Sequence, residues 1–126
     1  MAGTVTYTED GDRDGLVRCT LAWTSTAGGV ATSTISRISG TLERFTFVPG
    51  GGSTVPSAGY DVTLTDDDGF DVLTAKGANL SETTASQHLT IDSSAVLPIA
   101  ICGPLDLAVA NAGAAKTGVI RLYVRT

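Results

Sequence analysis

Histidine occurs once in this chain and lysine twice, the two cysteines lie far apart, and the longest apolar stretch, residues 95–102, is interrupted by Pro98. Each scarcity excludes something. A general base would have to be His88 alone, no serine sits in a G-x-S-x-G or S-x-x-K setting, and Glu9, Glu43 and Glu82 are the only glutamates to join aspartates in a glycosidase pair. Enzyme activity is therefore not expected. Eight basic against 13 acidic residues leave a net charge of −5, which gives no footprint for phosphate neutralisation and argues against nucleic acid as a partner. Cys19 and Cys102 form no C-x-x-C motif, and the readings open to them are two buried thiols or one disulfide across a core. An apolar stretch this short falls far below the ~20 residues a membrane helix needs, so no membrane is expected. The start, Met1-Ala2-Gly3-Thr4, has neither basic residues nor an apolar segment, and the expectation is synthesis in a cytoplasm.

What the chain has in abundance is threonine, 19 residues, and valine, 11 residues. Branching at Cβ costs little in an extended backbone, so this composition favours sheet. The clearest strand runs from Leu16 to Ser25, with Val17, Cys19, Leu21 and Trp23 on one face and Arg18, Thr20, Ala22 and Thr24 on the other. Further strands are expected over residues 4–8, 30–38, 42–48, 60–65, 70–74, 105–109 and 120–124. Phe45 and Phe47 share a phase with Glu43, the 30–38 strand keeps no single phase and reads as bulged or as an edge, and Asp66-Asp67-Asp68-Gly69 is the strongest hairpin turn. Residues 78–89 read as weakly helical or irregular, and 95–102 as buried strand or packed loop. The fold class is all-β: one antiparallel β-sandwich domain over residues 1–126, jelly-roll-like, with about eight strands. The N-terminal segment 1–8 and the Gly/Pro/Ser loop 49–59 are expected to be flexible, because Gly50, Gly51 and Gly52 in succession carry a high entropic cost of ordering.

Candidate sites are few. Asp10, Asp12 and Asp14 have the D-x-D-x-D-G spacing of a calcium loop, but the twelfth position, where an EF-hand places a bidentate glutamate, is Leu21. The alternatives there are calcium in a β-turn or a plain acidic turn. Asp66, Asp67, Asp68 and Asp71 form a second acidic group in which Leu64 stands where a first ligand belongs. Trp23 and Tyr60 follow the apolar phase and belong to the core. Tyr123 has the outward phase beside Arg121 and Arg125, and tyrosine with arginine is what protein interfaces favour. Arg121, Tyr123 and Arg125 are the expected contact patch, with Gly50, Gly51 and Gly52 as a loop that orders on a neighbour. No catalytic residue, metal ligand or cofactor is assigned.

The ordered segments Arg18-Cys19-Thr20-Leu21-Ala22-Trp23-Thr24, Gly40-Thr41-Leu42-Glu43-Arg44, Tyr60-Asp61-Val62-Thr63-Leu64-Thr65 with Asp66-Asp67-Asp68-Gly69-Phe70-Asp71-Val72-Leu73, Gly77-Ala78-Asn79-Leu80-Ser81, and Ala110-Asn111-Ala112-Gly113 running to Lys116-Thr117-Gly118 are strand and turn signatures. Together they resemble a family of small virion proteins of tailed bacteriophages. The resemblance implies a capsid decoration, or cement, protein on the outside of the head, binding the major capsid protein and itself as a dimer or trimer. A neck or tail component, or a calcium-dependent carbohydrate-binding sandwich, are the alternatives. It carries no catalytic residue over.

Overall fold

The computed structural model describes residues 3–13, 15–35, 38–73, 75–89 and 99–126, and of these the side chains at 10–13, 87–89 and 99 are outside the description. Nine strands run through the described residues: β1 (Thr4–Arg13), β2 (Leu16–Thr24), β3 (Ala31–Ile35), β4 (Ser39–Pro49), β5 (Asp61–Thr65), β6 (Ser86–Leu89), β7 (Ile99–Cys102), β8 (Leu105–Ala110) and β9 (Thr117–Arg125). They form two antiparallel sheets. The larger has the order β1-β2-β9-β4-β6 with β7 as a sixth strand on β4, and the smaller has the order β3-β8-β5. The domain is an all-β sandwich.

The core follows from alternation. On the smaller sheet Ala31, Ile35, Leu105, Leu107, Val109, Val62 and Leu64 are all buried, and the register sets Leu107 opposite Leu64 and Val109 opposite Val62. On the larger sheet Cys19, Leu21, Trp23, Phe45, Phe47, Ile120, Leu122 and Val124 close the same core from the other side. Trp23 on β2 packs against Tyr60 ahead of β5, ring centroids 5.6 Å apart, so the two sheets are tied by an aromatic contact of the tilted kind that ring quadrupoles favour. Ser25 is the one buried polar residue among those described, and it is satisfied: its hydroxyl donates to the Gly113 carbonyl at 2.6 Å and accepts from the Lys116 N–H at 2.8 Å.

Four local expectations need correction. Plain alternation puts Glu43 with Phe45 and Phe47, but the β4–β9 register slips between Leu42 and Arg44, so Leu42 turns inward and is fully buried. The bulge disturbs the ladder at a cost of about one hydrogen bond, 0.5–1.5 kcal/mol. Burying Leu42 returns about 1.5–3 kcal/mol. Of the strand expected over 70–74, residues 70–73 do not form one and Thr74 lies outside the described residues: after a single bridge between Thr65 and Asp71, the Asp71 carboxylate accepts from the N–H groups of Leu64, Leu73 and Ala75. Val72 and Leu73 are then both buried, which no strand exposed on one face allows. Residues 86–89, read as irregular, are strand β6. Finally, Cys19 is buried but Cys102 is exposed and the two form no disulfide, because Ile101 takes the inward place on β7.

The N-terminal segment is a paired strand, with Val5 opposite Trp23 and Tyr7 opposite Leu21. No helix among the described residues is long and apolar enough to cross a membrane.

Candidate functional site

Phe45 and Phe47 point inward, so Arg44, Thr46 and Val48 take the outer face of the larger sheet, and the β4 bulge adds Glu43 to it. There they meet the outward residues of β9 and β2. The register sets Arg44 opposite Tyr123 and Tyr123 opposite Arg18, then Thr46 opposite Arg121 and Arg121 opposite Thr20. Cross-strand neighbours in such pairs stand with Cβ atoms about 5 Å apart, so the side chains touch. The expected patch of Arg121, Tyr123 and Arg125 is thus one column of a wider surface, and Arg44 and Arg18 are the members that the sequence reading missed. Arg44 was visible in the phase opposite to Phe45 and Phe47, but nothing in the sequence said that β4 lies beside β9. Arg18 was visible on the outward face of its strand, but nothing in the sequence said which strand lies beside β2.

Two contacts organise this face. The Arg44 guanidinium lies over the Tyr123 ring, 4.2 Å from its centroid, a cation–π contact of about 0.5–2 kcal/mol. The Arg125 guanidinium forks onto Glu43, Nε to Oε2 at 3.1 Å and Nη2 to Oε1 at 3.2 Å. With Arg125 side chain 48% exposed, that fork contributes little stability and chiefly fixes direction. Beside the first of these, running toward Val48, lies a groove of about 350 Å³ lined by Arg44, Thr46, Val48, Ala85, Ser86, Arg121 and Tyr123. Arg44 Nε, Thr46 Oγ1 and Arg121 Nε are buried in it with no hydrogen-bond partner. Buried polar atoms are nearly always paired, so three unpaired ones in one groove need an explanation.

Gly50, Gly51 and Gly52 lie at the other end of β9. Pro49 pairs with Gly118, and the Gly50 N–H donates to the Thr117 carbonyl at 2.9 Å. Arg125 is about 26 Å further along the strand. The loop is more anchored than a run of glycines implies. Thr117 Oγ1 donates to Thr54 Oγ1 at 2.8 Å, Lys116 Nζ to the Ser53 carbonyl at 3.2 Å, and Pro56 is buried. The exposed tip is Gly51, Gly52 and Ser53. A smaller depression of about 240 Å³ shares Val48 with the arginine groove and reaches Gly50, so patch and loop border one continuous surface.

The remaining candidates serve the fold or lie outside the description. Asp66 Oδ1 accepts from the N–H groups of Asp68 and Phe70, closing a turn in which Gly69 has φ 86°, and Asp71 is held by the backbone contacts given above. Side chains of Asp10 and Asp12, and all of Asp14, lie outside the described residues, as does the His88 side chain, whose backbone pairs opposite Phe45. Among the described residues no three His, Cys, Asp or Glu side chains gather as metal ligands would. Tyr7 donates to Glu9 at 2.6 Å and to the Cys19 thiol at 3.3 Å, and burial together with those two acceptors pushes its hydroxyl pKa well up. Burial alone pushes Tyr60 up to about 12.

No family model, no curated protein and no solved structure matches this chain.

Proposed function

We propose that the chain is a non-enzymatic virion structural protein, a capsid decoration (cement) protein that binds the outer surface of a tailed-bacteriophage head and holds neighbouring major capsid protein subunits together. The observation that carries this reading is the outer face of the six-stranded sheet, where Arg44, Tyr123 and Arg121 line a groove in which Arg44 Nε, Arg121 Nε and Thr46 Oγ1 have no hydrogen-bond partner among the described residues. A sheet face whose backbone is held by ladder hydrogen bonds, with arginine and tyrosine at its centre, is suited to adhesion, since little backbone order has to be created on contact. The string of strand and turn segments supports the virion setting. A cement protein repeats one modest contact over a symmetric lattice, and repetition turns weak affinity into firm attachment. A sugar-binding sandwich draws less support, because Trp23 and Tyr60, the large rings it would use for stacking, are spent on each other in the core.

The test is co-sedimentation with expanded, DNA-free heads of the phage that encodes the chain. Wild-type protein binds with a stoichiometry set by the lattice, and Arg121→Glu weakens binding by about tenfold or more, the cost of losing a charged interfacial hydrogen bond and adding a like charge, while its thermal unfolding is nearly unchanged. Absence of the chain from the head pellet at saturating concentration contradicts the reading.

A further inference from the structure

The groove between Arg44 and Arg121 has a chemistry that can be read from its own sheet. Arg125, two residues along β9 from Tyr123, meets the carboxylate of Glu43 through Nε and Nη2. The same strand pair offers Arg44 and Arg121 the same side-chain type, on the same face, without supplying them a carboxylate. Their Nε–H groups are buried and unpaired, and Thr46 Oγ1, which can donate to an anion, is unpaired beside them. Arginine has no acceptor, so whatever satisfies these atoms must bring lone pairs, and two guanidinium groups favour a negative charge. The apolar walls, Val48, Ala85 and the Tyr123 ring, lower the local dielectric and strengthen such a bond. At about 350 Å³ the groove takes one side chain rather than an extended ligand.

We infer that this groove is a carboxylate receptor: it accepts the side chain of an aspartate or glutamate presented by the partner protein, held by Arg44 Nε, Arg121 Nε and Thr46 Oγ1 once these side chains, whose three atoms are shielded from solvent in the free protein, turn to admit it. This rests on the adhesive role proposed above and names the partner's chemistry. The net charge of −5 does not oppose it: of the acidic residues that are described and exposed, Asp67 and Asp68 sit in the turn after β5, Asp106 is on β8 of the smaller sheet, and Glu9 on β1 stands opposite the inward-facing Cys19, while the arginines are collected here.

The experiment uses the full chain, isotopically labelled, with the six arginine Nε–Hε resonances followed by NMR while sodium acetate replaces sodium chloride at constant ionic strength. Acetate is the reacting end of an aspartate. The Arg44 and Arg121 signals are expected to shift together and saturate at an acetate concentration on the order of tens of millimolar, as one isolated charge-assisted contact in a wet groove gives. Arg125, already held by Glu43, stays still. Thr46→Val weakens the response several-fold, and Arg121→Lys, which keeps the charge and loses the fork, weakens it by about tenfold. Linear drift of all six signals, no response of Arg44 and Arg121, or full retention of binding in Arg121→Lys each overturns the inference. So does saturation by inorganic phosphate far below the acetate concentration, which would assign the groove to a phosphate group. Concentration-dependent self-association that is lost in Asp67→Asn/Asp68→Asn would assign it to a second copy and overturn the choice of partner. If acetate binds as described but heads do not capture the chain, the decoration reading falls and the receptor stands; if heads capture it and acetate fails, the reverse holds.

Discussion

Gly118 is a position where the core leaves no room for a side chain. A Cβ at that position would lie 2.4 Å from the Trp23 ring, and the ring is itself pinned by Tyr60. Gly118→Ala is therefore expected to destabilise the domain by about 1–3 kcal/mol, the usual cost of overpacking, read as a lower urea midpoint at unchanged m-value. The buried tyrosines set the alkaline limit. In the unfolded chain a tyrosine ionises near 10, whereas Tyr60 in the fold holds its proton up to about 12. Between those values the folded state binds more protons, so stability is whole below pH 10 and falls as pH rises toward 12, with Tyr7 acting in the same direction. Tyr60→Phe should flatten that fall, and chemical denaturation across pH 8 to 12 checks it. The inward places of Trp23, Tyr60, Leu21 and Leu122 were legible from alternation alone. Glu43 and Cys102 were not, because a bulge and a neighbouring isoleucine decide them, and neither leaves a mark in the local sequence.

At the scale of elements, the loop after β4 separates two kinds of glycine. A Cβ on Gly50 would collide with Thr117, 2.1 Å from Oγ1 and 2.7 Å from the carbonyl oxygen, whereas one on Gly51 meets nothing within 4 Å. Gly50→Ala should cost about 1–3 kcal/mol. Gly51→Ala should change stability by less than about 0.5 kcal/mol or raise it slightly through the unfolded chain. Parallel thermal melts decide; equal melting points for the two variants would mean the loop is not held by Thr117. The turn after β5 teaches a related lesson. Asp66 to Gly69 was rightly expected to reverse the chain, yet the returning segment abandons the ladder because the Asp71 carboxylate satisfies three backbone donors that a strand would otherwise offer to its partner. Turn chemistry is local and can be read. Competition for backbone hydrogen bonds is tertiary and cannot.

For the whole molecule, the sandwich class was legible because period-two alternation recurs from β2 to β9. The division into six and three strands was not, since it depends on β4 being long enough to hold β6 along one half and β7 along the other. That same division gives the larger sheet a broad outer face, and on it the patch anticipated as Arg121, Tyr123 and Arg125 is joined by Arg44 and Arg18. The account therefore reduces to one claim: this protein works by adhesion through the outer face of its larger sheet. A cryo-electron microscopy reconstruction of the phage particle is the direct measurement. The account predicts density for the domain on the shell with β4 and β9 turned toward a capsid subunit and an acidic side chain between Arg44 and Arg121. Density with that face open to solvent, or a shell without the domain, would contradict it.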